Sequence, residues 1–272
     1  MQPIKKDDKT GILYRKWKAT DERAVLLLVH GLAAQSGRWE CMTDFFLGKN
    51  VSSYAIDLKG FGETQGPRGH IDSFRTYFED IKRLCEIISE ESPGKKIFIL
   101  GESMGALISF IAAIMYPGLF DGLVCISPAF MSRLKFTVLD YIKMLASLLY
   151  DPGKQFNLPF TSEMCTRDRG YQEMIDRDPR EHRTGTSKLL FNIGMVQIRC
   201  MIFRGRIPTG VLFLLAGDEL LVSPKASRSI FKRLKTPDKI IIEYPEMRHA
   251  LSIELGKEKV FEDILRWVQK RI

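Results

Sequence analysis

Short apolar runs recur along the chain, separated by longer stretches of helical period. Ala24 to His30 reads AVLLLVH, a continuous apolar run that ends in His-Gly. Such a run suits a strand buried on both faces, as in a parallel sheet. Five more runs have this character: Val51–Asp57, Lys96–Gly101, Gly122–Ser127, Gly210–Ala216 and Lys239–Tyr244. Near the start, ILYRKWKA alternates polar and apolar positions and reads as an edge hairpin strand. In Phe74–Ile88, Phe74, Phe78, Ile81, Leu84, Cys85 and Ile88 recur at three- and four-residue spacing, and Pro93-Gly94 then stops the helix. Met104–Tyr116 is apolar almost all round, which predicts a central, buried helix ended by Pro117. Val260, Phe261, Ile264, Leu265 and Val268 mark one face of a terminal helix over 260–272. Strands alternating with helices predict an α/β fold with a mostly parallel central sheet flanked by helices.

The alternation breaks between about Ala129 and Gly210, where no buried strand is expected. FTVLDYIKMLASLLY places Val138, Ile142, Leu145 and Leu149 on one stripe, followed by a Pro/Gly-bearing loop and a stretch rich in Arg and Asp. This segment reads as a helical insertion. Residues 1–128 and 210–272 are then the core, and 129–209 a cap. The apolar stripe is expected either to face the cleft between cap and core or to pack one on the other.

The composition narrows the function classes. A chain of 272 residues with 45% hydrophobic and 27% charged positions suits one large soluble α/β domain. The net charge of +8 does not point to nucleic acid. Lys and Arg are spread along the whole length, and their densest cluster, Arg199 to Arg206, is broken by apolar residues. Weak attraction to an anionic lipid surface stays open. Five widely spaced cysteines with no CxxC suggest neither a zinc site nor a redox pair, and read as buried thiols in a reducing compartment. The start, MQPIKKDDKTG, has no apolar core to make a signal peptide, and no run of about eighteen apolar residues predicts a membrane span. A cytoplasmic protein, or one peripheral to a membrane, is expected.

Chemistry concentrates at Gly101-Glu102-Ser103-Met104-Gly105, a G-x-S-x-G segment between a strand and a helix. Its glycines allow a strained strand-to-helix turn that lifts the serine hydroxyl above the sheet. The helix beginning there offers unpaired N–H groups, and the Met104 amide lies where a developing oxyanion would form. A serine hydroxyl needs a base. Of the four histidines, His249 follows the last predicted strand and comes after the serine in the order this turn predicts. His30 is expected to shape an oxyanion loop whose second N–H is that of Leu32. His70 and His182 are read as structural or surface residues. The acid should follow a strand between Ser103 and His249; Asp218 and Glu219 both do. They point in different directions, so only one can serve.

These residues resemble the α/β-hydrolase superfamily, and within it the monoacylglycerol lipase and lysophospholipase group of the serine aminopeptidase S33 type. The likeness covers most of the chain. It rests on His30-Gly31-Leu32 followed by SGRWE, on Asp57–Phe74, on GESMGA, on Thr166–Arg183, on SPKAS and on His249–Leu251. The resemblance implies a helical cap after the sixth strand and hydrolysis of a mono-acyl lipid ester through an acyl-enzyme, with no metal or organic cofactor. Ser103, His249 and an acid would be the triad, with Leu32 and Met104 as oxyanion donors. The resemblance sets Glu219 where the group carries aspartate, and Asp218 one place earlier. A short-chain carboxylesterase, an aminopeptidase and a non-catalytic small-molecule-binding homologue stay open on the same scaffold.

Overall fold

The run Ala24–Val29 is fully buried at every position, as its unbroken apolar sequence requires of a central strand. In the computed structural model, which describes residues 2–272, it is the third strand of an eight-stranded sheet. The strands up to the nucleophile turn are β1 (Lys5–Lys6), β2 (Leu13–Trp17), β3 (Ala24–Val29), β4 (Val51–Asp57) and β5 (Lys96–Glu102). Helices α1 (Glu40–Leu47), α2 (Phe74–Glu91) and α3 (Met104–Met115) are interleaved with them, and β6 (Gly122–Ile126) follows α3.

The chain then leaves the sheet. It forms α4 (Val138–Tyr150), β7 (Gln155–Asn157), α5 (Ser162–Cys165), α6 (Arg169–Arg177), β8 (Thr184–Thr186) and α7 (Ser187–Ile202). It returns as β9 (Gly210–Ala216), α8 (Pro224–Arg233), β10 (Lys239–Tyr244) and α9 (Lys257–Gln269). The sheet order is β1-β2-β4-β3-β5-β6-β9-β10. β2 pairs antiparallel with both β1 and β4; every pairing from β4 to β10 is parallel.

Two apolar layers close the sheet. On one face α2 and α3 pack their buried residues, with Phe110, Phe130 and Phe213 meeting edge-on or tilted. On the other, α1 and α9 pack Phe46, Phe261, Ile264 and Val268 on β3, β5 and β9. The strand order places β4 and β5 on opposite sides of β3. Ligands of parallel sheets bind where the order reverses, beyond the carboxyl ends of the strands. Those ends carry His30-Gly31-Leu32 after β3 and Ser103 after β5.

Two local expectations differ from what is found. The segment between β6 and β9 holds a small antiparallel pair, β7–β8, three residues long on each side. Such short strands leave no periodicity to read. The stripe Val138, Ile142, Leu145 and Leu149 is not buried under the cap: Val138 is 77% and Leu149 91% exposed. The cleft is lined by Tyr141, Met144 and Leu148 together with Leu145 alone of the stripe, because apolar residues surround most of α4. Among the described residues no helix is long and apolar enough to cross a membrane.

Candidate active site

Ser103 sits between β5 and α3 with φ 57° and ψ −118°, a conformation that disfavours any side chain. The surroundings hold it there. The Ser103 N–H donates to the Ile126 carbonyl at 2.9 Å, and its own carbonyl accepts from Leu107 and Ala129, each at 3.1 Å. The turn closes so tightly that a Cβ on Gly101 would lie 2.3 Å from the Gly105 carbonyl oxygen. One on Gly105 would lie 2.0 Å from that of Val29. This is the physical reason for glycine two places before and two places after the serine.

The Met104 amide, at the first position of α3, donates to no protein acceptor among the described residues, nor does that of Leu32. The Leu32 loop is pinned by His30. Its Nε2 accepts from the Leu58 N–H at 3.0 Å, so the proton lies on Nδ1, which donates to the Gly31 carbonyl at 2.8 Å. Burial pushes the His30 imidazole below its usual pKa, so it stays neutral with both nitrogens occupied. Ala33, in the same loop, has φ 64°.

His249 lies on the loop between β10 and α9, 4% exposed. Its Nδ1 is 2.8 Å from Glu219 Oε2, and Glu219 is 3% exposed. The other carboxylate oxygen of Glu219 accepts from the amides of Leu221 (2.8 Å) and Val222 (3.2 Å), which fixes its orientation. The Asp218 N–H donates to the Met247 carbonyl at 3.1 Å, so the acid turn and the histidine loop are joined along their backbones. The two neighbouring acids therefore separate. Asp218 turns outward to Arg248 Nε at 3.2 Å and does not meet the imidazole; Glu219 does. Burial disfavours a charged His249, but the Glu219 carboxylate outweighs it and the imidazole pKa is raised above its usual value. An imidazole raised in this way, if it serves as a general base, loses activity on the acid side at a higher pH than an ordinary histidine. The acid limb of kcat/KM is expected to have its midpoint above about 6.5, measurable with a soluble ester.

Ser103, His249, Leu32 and Met104 border one cavity of about 340 Å³. Most of its wall is apolar, from Tyr141, Met144, Leu148, Leu158, Phe160, Ile175 and Leu190. Its polar lining includes Arg38 of the 3-10 helix Ser36–Trp39 and Glu181 of the α6–β8 connection. Arg38 Nε donates to Glu181 Oε1 at 2.9 Å, and Arg38 Nη2 meets Oε2. Although burial opposes the charged guanidinium, Glu181 holds its pKa above the usual value. This pair ties the inserted segment to the core. Nothing in the sequence announces it, because its partners lie 143 positions apart. The remaining histidines stand apart from His249. His70 Nδ1 lies 3.0 Å from Thr186 Oγ1, and the His182 ring stacks on Phe61 at 5.8 Å between centroids.

A mostly parallel sheet with a strained serine turn, a buried histidine–carboxylate pair and two unpaired loop amides around one apolar cavity defines an α/β-hydrolase fold. A family model described as serine aminopeptidase, S33, matches residues 20–256, so the chain belongs to that family. It is 29% identical to a human monoglyceride lipase over 94% of this chain and 86% of the relative. It is 27% identical to a monoacylglycerol lipase of Mycolicibacterium smegmatis over 94% and 92%. The solved monoacylglycerol lipase of Paleococcus ferrophilus superposes with a TM-score of 0.85 at 26% identity, covering 96% of this chain and 99% of the other. The family, the fold and a serine ester hydrolase activity of the monoacylglycerol lipase kind agree with the resemblance seen in the sequence.

Proposed function

We propose that the protein cleaves the carboxylic ester of a mono-acyl lipid with an uncharged alcohol, using Ser103, His249 and Glu219. The observation that carries this reading is the 2.8 Å His249–Glu219 contact on the rim of the apolar cavity that Ser103 also borders. Ser103 Oγ attacks the ester carbonyl carbon while His249 Nε2 takes its proton. Glu219 stabilises the imidazolium and keeps Nδ1 protonated. The tetrahedral oxyanion is bonded by the Leu32 and Met104 amides, each typically worth about 3 kcal/mol of barrier. His249 then gives the proton to the departing alkoxide, leaving an acyl-serine. Water, deprotonated by His249, attacks that acyl carbonyl and releases the fatty acid and free Ser103.

The apolar wall accommodates an acyl chain, and Arg38, a cation on the cavity lining, is already engaged by Glu181 rather than free to bind a charged headgroup. In this reading residues 129–209 form the cap over a core of 1–128 and 210–272. Activity on monoacylglycerols, lysophospholipids, short nitrophenyl esters and an aminoacyl amide tests the assignment. The highest kcat/KM is expected for monoacylglycerols; a preference for the amide or for acetyl esters overturns it.

The outward face of α4 supports contact with a lipid surface. Val138, Leu139, Ile142 and Leu149 stand exposed there, and apolar residues clustered on one helix face partition into an interface. Val138→Asp together with Leu149→Asp is expected to lower binding to phospholipid vesicles about tenfold or more. Turnover of a soluble short-chain ester should stay near normal. Unchanged vesicle binding, or an equal loss of vesicle binding and of soluble-ester turnover, removes the lipid-surface part of the reading.

A further inference from the structure

Glu102 stands where the apolar strand β5 runs into the serine turn, and it is 4% exposed. A buried carboxylate is costly unless its oxygens are held. One residue holds both: Ser252 donates its backbone N–H to Oε1 at 3.1 Å and its Oγ–H to Oε2 at 2.8 Å. Ser252 lies three positions after His249, in the 3-10 helix Leu251–Ile253. Glu102 is therefore covalently next to Ser103 and hydrogen-bonded to the loop that carries His249. It also borders the cavity. The charged groups facing His249 are Glu219, Glu102 and Arg38. Those facing Glu102 are His249 and Arg38, and Arg38 is already neutralised by Glu181.

We propose that Glu102 is a positioning residue of the reaction, clamping the His249 loop to the serine turn through Ser252 and supporting the imidazolium with a second negative charge. The inference rests on the ester-hydrolase reading above. Glu219 bonds the imidazole directly; Glu102 acts on it through space and through the loop. When His249 takes the serine proton, a positive charge forms opposite a carboxylate that is already oriented. The interaction is therefore stronger in the transition state than in the resting enzyme, which is the condition for lowering the barrier. Burial raises the Glu102 pKa above the usual carboxylate value, and the two Ser252 donors and the charges of His249 and Arg38 offset part of that rise.

The test compares kcat/KM against pH on a soluble nitrophenyl ester for the wild type, Glu102→Gln, Glu102→Asp and Ser252→Ala. Removing a negative charge lowers the pKa of a facing imidazole. Glu102→Gln is therefore expected to move the acid limb down by about 0.5–1 unit and to cut kcat roughly tenfold. Glu102→Asp keeps the charge and should hold the limb near the wild-type position. Ser252→Ala should lose rate without moving it. A purely structural role slows the enzyme and leaves the limb in place, so an unmoved limb in Glu102→Gln overturns the proposal whatever the rate. Should that variant not fold, as read by circular dichroism, Glu102→Ser carries the same expectation. A wild-type protein without esterase activity defeats the proposed function; an active wild type with an unmoved limb in the variant defeats only the part given to Glu102.

Discussion

Ser103→Ala is expected to lower kcat for a monoacylglycerol by roughly 10⁵–10⁶-fold while the protein stays folded. The size follows from what the hydroxyl does. Without it no acyl-enzyme forms, and only the two loop amides and substrate binding remain to aid direct attack by water. The substitution removes one oxygen from a half-buried side chain whose backbone is held by three hydrogen bonds, so thermal unfolding should move little. Turnover with released product quantified by mass spectrometry, beside a melting curve, checks both halves. A variant that retains a tenth of the wild-type rate contradicts the assignment of Ser103.

The second large effect separates two adjacent acids. Glu219→Gln keeps the size of the side chain but can present its N–H₂ to the imidazole. That inverts the bond at Nδ1 and favours the tautomer whose Nε2 carries the proton. A base already protonated at the nitrogen that faces the serine is inactive. A loss of about 10³–10⁴-fold in kcat is expected, with KM nearly unchanged. Asp218→Asn removes only a partly exposed ion pair with Arg248, and such pairs contribute little. Its activity should stay within about threefold of the wild type. The reverse ranking would mean that the turn after β9 rearranges on substrate binding.

Much of the fold could be read from the chain because its strands are unambiguous. β3, β4, β5, β6 and β9 are buried along most of their length and therefore largely apolar, apart from the serines and Asp57 of β4 and the terminal Lys96 and Glu102 of β5. α2, α3 and α9 were equally legible, within three residues at either end, from periodicity and from the prolines and glycines that follow two of them. α1 and α8 are not legible: each spans about two or three turns, and α1 mixes Glu40, Thr43 and Asp44, α8 several serines, lysines and arginines, with a short apolar face. α7 is apolar on several sides and bears glycine and arginine, so no single stripe marks it. α4 was legible as a helix but not in orientation, since periodicity cannot choose between two apolar faces.

The site divides in the same way. Ser103 and His249 stand out through local grammar, a glycine-framed turn and a histidine after the last strand. The acid could not be settled from spacing, because Asp218 and Glu219 are neighbours whose directions depend on how the loop after β9 meets the one after β10. Arg38–Glu181 and Glu102–Ser252 join residues 143 and 150 positions apart, and nothing in either neighbourhood announces its partner. The one local sign was Glu102 itself, a charge at the end of an otherwise apolar strand.

The measurement that bears most directly on the whole account is the site of covalent capture by a fluorophosphonate that mimics the tetrahedral intermediate. After brief exposure at neutral pH, digestion and mass spectrometry are predicted to find one adduct, on the Ser103 peptide, which forms far more slowly in Glu219→Gln. An unlabelled protein, or a label carried by another serine, contradicts it.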